Sequence, residues 1–497
     1  MKLRTYLTIL LAGGLLTSCG EDFLNDMDSS TVTPDQIDEQ SKQDPDKVLS
    51  SQLKGCYTNW NTYNPNSGRG DINEHMSRGF GGIMLLSDVM SNDVSLSLGS
   101  GSPWRYGHVL DYNGESYIRP AWPWKFFYTV IASANDLINV VDEETAGDDV
   151  RHMLGQAYAF RGYAHAMLAP FYQKTYADAK DKLGVPIRLS DKETSIGGRA
   201  TVEQVYAQAE KDLLKAISFL DGYQRADKQS IDKQVAEGLL SRVYLTMERW
   251  ADAAKMAHDA RQGYTLNDID AAQTWNYQDL GNDEAMWGWI PTESNKGYYA
   301  SWASWMSLDG PGYGGSQVGA INVMDAALYS AIPDGDVRKQ LFVAPDEATE
   351  SVPALANKKF AFVAQWMGNV VYMRAAEMYL NEAEGLLMSG DATGAANVMA
   401  EFMPNRVSGW TAPSAWTQQS IYRQRRIELW GEGFSFYDHV RLRQDLVRNY
   451  EGSNEPAGSR PTSGVIPYTS YQWTYQIPKS EINDNEDITA DQQNPLQ

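Results

Sequence analysis

The sequence predicts a mainly α fold in which tetratricopeptide-like helix pairs form a scaffold within a larger body. Three observations carry this. Amphipathic stretches of helical length recur along most of the chain. One adjacent pair, Ala236 to Trp250 and Ala251 to Gln262, puts Ser241, Tyr244, Ala253, Ala257 and Ala260 where a tetratricopeptide repeat has its small and aromatic packing residues. Stretches of strand length are few and lie in long insertions between the helical units, so a clean solenoid is not expected. With 497 residues, 42% hydrophobic and 21% charged, the chain can bury a large core and has the balance of an ordinary globule.

The first residues read as an export signal. Lys2 and Arg4 precede an apolar run from Leu7 to Leu16, too short to span a bilayer as a helix and suited to a removable signal. Leu16-Thr17-Ser18-Cys19 looks like a bacterial lipobox, which makes residues 1–18 the signal peptide and Cys19 the acylated N-terminus. Glu21 and Asp22 follow, and acidic residues there resemble the surface-export tag of Bacteroidetes lipoproteins. Residues 19–45, polar and acidic, read as a tether. No later apolar stretch is long enough to cross a membrane, so attachment rests on lipid.

A helix is expected from Val48 through Tyr57. Its Cys56 is read as a small core residue, without a disulfide partner once Cys19 is acylated. Asn61 to Asp71 is a loop rich in Asn, Gly and Pro, and its Arg69-Gly70-Asp71 triplet is read as chance. Trp124 to Val141 and Val150 to Tyr172 are long helical runs, the second with small residues at Ala157, Gly162, Ala164 and Ala166. Thr201 caps a helix running to about Leu220, with Glu203 at its second position rather than the third that a capping box uses. Tyr372 to Met388 and Thr393 to Phe402 form a further pair. Ala285 to Ile290 and Lys359 to Val363 are the expected strands. After Asn449, Gly, Pro, Ser and Tyr mark an irregular covering segment.

Charge and motifs exclude several classes of function. The formal net charge is −22, and loss of the signal leaves 40 basic against 64 acidic residues, so phosphate backbones are repelled and nucleic acid is not expected. Polyanionic ligands are disfavoured too, unless a local basic pocket intervenes. The six histidines (His75, His108, His152, His165, His258 and His439) form no HExxH or comparable metal spacing, and His165 sits on an apolar helical face as a packing residue. No G-x-S-x-G elbow or P-loop occurs, and the glycines of Gly310-Pro311-Gly312-Tyr313-Gly314-Gly315 lack the following Lys-Ser/Thr of a phosphate cradle. No metal or cofactor is expected. Glu428 and Glu432 are the fairest carboxylate pair for glycoside hydrolysis. With Arg425 nearby, a salt-bridged helix surface or a buried structural network is the preferred reading.

The aromatic distribution is more telling. Between Trp275 and Tyr313, 39 residues hold Trp275, Trp287, Trp289, Trp302 and Trp305, five of fifteen tryptophans, with Tyr277, Tyr298, Tyr299 and Tyr313 among them. As strand neighbours at spacing two, Trp287 and Trp289 would share a face. Flat aromatic faces beside Asn282, Asp283, Asn295 and Asp309 suit sugar rings, whose C–H faces stack on them. A second candidate is Trp104, expected on an exposed loop in Ser100-Gly101-Ser102-Pro103-Trp104-Arg105-Tyr106. The expected ligand-binding residues are therefore Trp104, Trp287, Trp289, Tyr298, Trp302, Trp305 and Tyr313.

Several strings converge on one family. Gln156-Ala157-Tyr158-Ala159-Phe160-Arg161-Gly162-Tyr163 with Gly184-Val185-Pro186, and Arg199 with Thr201-Val202, Val205-Tyr206 and Asp212-Leu213, resemble the first signatures of SusD/RagB-type outer-membrane lipoproteins. Arg374-Ala375-Ala376-Glu377 with Glu382-Ala383 is similar to that family's Arg-x-Ala-Glu helix. Arg425-Arg426-Ile427-Glu428-Leu429 through Glu432-Gly433, Asp438 and Arg441 resembles its C-terminal motif, and Ile477-Pro478 and Asn494-Pro495 its usual ending. One departure is Phe434-Ser435-Phe436, where the family more often has polar or basic residues before its aromatic.

The resemblance implies four tetratricopeptide-like helix pairs as scaffold and an irregular, loop-rich ligand-binding half containing short strands. On it, residues 46–270 are an N-terminal SusD-like region and 271–497 a C-terminal SusD/RagB region with the aromatic-rich insertion. It implies a non-catalytic outer-membrane lipoprotein that binds oligosaccharide and caps a SusC-like TonB-dependent transporter. A peptide-binding lid of the same family and a surface glycoside hydrolase are the alternatives.

Overall fold

The computed structural model describes residues 45–65, 75–190, 197–361, 363–461 and 464–496. The lipobox at Cys19, most of the tether, and Arg69-Gly70-Asp71 lie outside the described residues. The principal helices are α1 (Pro45–Thr62), α2 (Gly79–Val89), α3 (Ile118–Ile138), α4 (Asp148–Tyr172), α5 (Val202–Phe219), α6 (Lys233–Thr246), α7 (Trp250–Ala260), α8 (Trp302–Met306), α9 (Ala375–Met388), α10 (Ala392–Phe402), α11 (Gln418–Glu428) and α12 (Ser435–Arg441). Among the described residues six short strands make three antiparallel pairs: β1 (Val94–Leu96) with β3 (Asn322–Met324), β2 (Ala285–Trp289) with β4 (Val370–Arg374), and β5 (Leu446–Val447) with β6 (Val465–Ile466). The fold is mainly α. Among the described residues no helix is long and apolar enough to cross a membrane.

The scaffold is a relay of packed helices: α3 on α4, α4 on α5, α5 on α6, α6 on α7, α7 on α9, and α9 on both α10 and α11. Small residues make the close crossings possible. At Gly162 of α4, a Cβ would lie 2.8 Å from the Asp212 Cβ and 2.9 Å from the Ala209 carbonyl of α5. Ser241, Tyr244, Ala253, Ala257 and Ala260 are all buried, as the repeat pattern requires. Thr201 caps α5 with a full capping box, and the closing partner is Gln204 at the third position. Glu203 instead accepts a hydrogen bond from the Tyr176 hydroxyl at 2.5 Å.

Many of the family-like strings meet through buried polar contacts. Arg161 donates to both carboxylate oxygens of Asp212 at 2.8 Å. Arg199 donates to Asn494 Oδ1 at 3.0 Å, and the Asn494 amide in turn donates to the carbonyls of Tyr172 and Tyr475. This pins the irregular C-terminal segment to α4. In the departing string, Ser435 donates to Asp93, Phe436 stacks on Phe171 at 4.8 Å, and Phe434 lies under Arg242.

One strand expectation is corrected. Residues 359–361 are irregular, and the partner of β2 is β4, whose Tyr372 to Arg374 had been expected to open a helix. The physical reason is local. Val370-Val371-Tyr372 is a β-branched and aromatic run suited to a strand, whereas the Lys359 ammonium is drawn into a buried ion cluster.

That cluster joins the insertion to the scaffold. Arg374 spends all five N–H donors, on Glu284, Glu428 Oε1, the Glu428 carbonyl and both oxygens of Glu432, at 2.6–2.8 Å. Arg406 and Arg338 also donate to Glu428, and Lys359 to the carbonyls of Glu428 and Trp430 and to Glu432. With Asp336 on Arg338, four cations face four carboxylates, all buried.

Candidate functional site

Glu428 and Glu432 both belong to this cluster. Glu432 lies beyond the end of α11, so the two share no helix face. Burial alone would raise the Glu428 carboxyl, but Arg406, Arg374 and Arg338 hold it well below its ordinary value. Burial is likewise outweighed at Glu432 by Arg374 and Lys359. Neither group is poised to exchange a proton near neutral pH. Arg425, three residues before Glu428, pairs instead with Asp438. Among the described residues no group of three His, Cys, Asp or Glu side chains is arranged to hold a metal ion.

In the aromatic insertion the five tryptophans and Tyr277 are buried, and Tyr298, Tyr299 and the half-buried Tyr313 lie at the surface. Trp287 packs among Trp60, Phe160 and Tyr372, and its indole N–H donates to the Gln229 carbonyl. Register shifts on either side of Trp287 break the regular alternation expected for Trp287 and Trp289. Trp302 meets Phe360 edge to face at 4.7 Å, and Trp289 lines a small cleft beside it. The exposed loop expected around Trp104 is corrected, because Trp104 is 1% exposed and packs between Trp122 and Trp305.

The surface group is Tyr298, Tyr299 and Tyr313, with Trp366 behind them. Tyr298 and Tyr299 are 57% and 48% exposed. Tyr313 lies on Trp305 with ring centroids 4.1 Å apart and planes 7° from parallel, while the Trp305 N–H donates to the His75 carbonyl. Tyr299 bridges Tyr313, at 5.9 Å, and Trp366, at 5.0 Å. The glycine-rich loop serves this packing. At Gly314 a Cβ would lie 2.2 Å from the Trp305 carbonyl, so only glycine lets the loop come this close to α8. The Tyr313 N–H donates to Ser304 Oγ, and the Tyr313 hydroxyl sits 2.6 Å from His75 Nδ1. Burial and the neighbouring Tyr299 raise the Tyr313 phenol, keeping it neutral.

The same patch holds three bulky residues in the left-handed backbone region: Tyr298 (φ 47°), Gln365 (φ 60°) and Trp366 (φ 66°). Each costs of order 1–3 kcal/mol and persists only where surrounding packing imposes it, a pattern common at ligand sites. The arrangement can stack apolar ring faces and offer phenol and imidazole groups for hydrogen bonds. Of the expected residues it brings Tyr298 and Tyr313 to the surface, with Trp305 beneath. Tyr299, Trp366 and His75 were missed: Trp366 and His75 lie outside the sequence cluster, and Tyr299 gave no signal beyond membership of it.

Two stretches match models of one family: residues 95–245 match one described as starch-binding, associating with the outer membrane, and residues 364–496 match the SusD family model. Together they span more than half of the chain. No curated protein matches. Among solved structures, a SusD-like carbohydrate-binding protein from Bacteroides vulgatus is 24% identical with a TM-score of 0.76, covering 90% of this chain and 98% of its own. A SusD superfamily protein from Bacteroides thetaiotaomicron is 23% identical with a TM-score of 0.72, covering 90% and 99%. Surface glycan-binding protein A from Bacteroides thetaiotaomicron, solved with laminarihexaose, is 16% identical with a TM-score of 0.67, covering 90% and 99%.

Proposed function

The chain belongs to the SusD/RagB family, and on that footing we propose that it is a non-catalytic glycan-binding lipoprotein of the cell surface. It captures oligosaccharide and acts as the lid of a SusC-like TonB-dependent transporter. Cys19 carries the lipid, and residues 19–45 are the tether that joins it to the body. The observation that carries the reading is the exposed tyrosine surface on a rigid floor: Tyr299 and Tyr313, backed by Trp305 and Trp366. Sugar rings stack their C–H faces on such rings, and a preformed platform pays little ordering entropy on binding. The relative solved with laminarihexaose supports an oligosaccharide as the ligand class.

Binding without turnover is supported by where the Glu428 and Glu432 carboxylates lie. Glu428 and Glu432 are buried under arginines, so sugar stacked on the tyrosines does not meet them. The test is to incubate purified protein with a polysaccharide panel, score retention in affinity gels, and assay reducing ends. Retention with no new reducing ends supports the reading; cleavage, or retention of peptides and no polysaccharide, overturns it.

A further inference from the structure

Beside Tyr298 the loop closes over a cleft of about 10 Å³ lined by Asn61, Arg78, Trp289, Lys296, Trp302 and Tyr372. That is room for one water-sized atom, not a sugar ring. The groups around it are rich in donors. Arg78 is half-buried and donates through Nη2 to the Asn295 carbonyl at 3.2 Å, but its Nε–H has no acceptor. No carboxylate among the described residues lies within ion-pair distance of it. Gly297 (φ 76°) permits the close approach here, since a Cβ would lie 2.5 Å from Arg78 Nε. The Trp302 indole N–H, on the ring edge beside Gly81 of the cleft wall, also lacks an acceptor. Lys296, itself buried, uses one donor on the exposed Glu293 at 2.8 Å. The Asn61 amide oxygen already accepts from the Tyr372 hydroxyl.

In a chain with 22 excess negative charges this is a local pocket of the opposite sign. A guanidinium does not give up its proton, so Arg78 stays charged even though burial pushes its pKa down. A half-buried cation with no counter-ion among the described residues is costly, and an incoming anion relieves that cost through charge-assisted hydrogen bonds.

Resting on the glycan-binding reading, we propose that this cleft receives an anionic oxygen of the bound glycan, from a uronic acid carboxylate or a sulfate ester. The sugar ring stays outside on the Tyr298–Tyr299–Tyr313 surface. The rest of the protein repels polyanions, so Arg78 and Lys296 act as a charge filter that admits acidic sugars at one point.

The test is calorimetric titration of the purified protein with three length-matched series: oligogalacturonates, sulfated carrageenan oligosaccharides and neutral laminari-oligosaccharides. At least one acidic series should bind roughly tenfold more tightly than the neutral one, with an advantage that shrinks as salt is raised. Comparing the two acidic series distinguishes carboxylate from sulfate. Arg78→Gln should collapse the acidic-to-neutral ratio toward one, and Gly297→Ala, which displaces the guanidinium without removing it, should lower it. If the neutral series binds as tightly as both acidic ones, the charge filter is wrong and the glycan reading stands. If none of the three binds and a tryptic peptide mixture does, the glycan reading itself falls, and this inference with it. The wild-type ratio decides the matter even if a variant fails to fold.

Discussion

The ring of Tyr313 lies flat on that of Trp305, 4.1 Å centroid to centroid. The stack makes an interior tryptophan the floor for a surface tyrosine, and the two residues carry different loads. Trp305→Ala removes a buried ring and should cost about 3–5 kcal/mol in denaturant unfolding. Tyr313→Ala loses ring contacts with Trp305, Tyr299 and His75 and a hydrogen bond at a partly exposed position and should cost about 1–2 kcal/mol. Equal losses would contradict the assignment of floor and surface.

Arg374 is the hub of the buried ion cluster. Arg374→Met leaves Glu284, Glu428 and Glu432 short of positive charge in a dry interior and should destabilise the protein by about 3–5 kcal/mol. Urea denaturation measures this. A loss under 1 kcal/mol would show that the carboxylates find other partners.

His165 gives a pH signature. Its Nδ1 lies 2.9 Å from the Arg161 carbonyl, and its Nε2 accepts the Arg188 N–H at 3.3 Å, so the ring is neutral with both nitrogens used. Burial pushes its pKa down to about 4, below the ordinary 6.5. The folded state therefore binds fewer protons than the unfolded one between these values, and stability falls as pH drops from about 6.5 toward 4. Comparing unfolding at pH 7 and pH 5, His165→Phe should narrow the difference by about 1–2 kcal/mol, whatever it costs at pH 7.

Gly162→Val forces side-chain atoms into the α4–α5 crossing. The overpacking should cost about 1–3 kcal/mol, read as a lower melting temperature.

Cys19→Ala should move the protein from the membrane fraction to the soluble fraction and abolish incorporation of labelled palmitate. Persistent membrane association without label would point to an anchor other than lipid.

The sequence made the scaffold legible because helix periodicity and small-residue spacing are local: Ser241, Tyr244, Ala253, Ala257 and Ala260 are buried as the pattern implies. The candidate site was legible only as a region. The density of tryptophans marked the insertion, but which ring faces solvent depends on distant partners. Trp287 is covered by Trp60 and Tyr372, from far along the chain, and Trp104 by Trp122 and Trp305. The same limit hid the ion cluster. Arg425 and Arg426 are the cations nearest Glu428 in sequence, yet they pair with Asp438 and Asp93, and Glu428 is held by Arg338, Arg374 and Arg406. Trp366 reaches the surface group through a left-handed turn that no residue in Ala364-Gln365-Trp366 announces.

The most direct test of the central claim is affinity electrophoresis of wild type and a Tyr299→Ala/Tyr313→Ala double variant through gels containing the polysaccharides that retard the wild type. The account predicts that retardation is lost in the variant while its melting temperature stays within a few degrees of wild type. Undiminished retardation of the folded variant would contradict it and place the glycan elsewhere on the molecule.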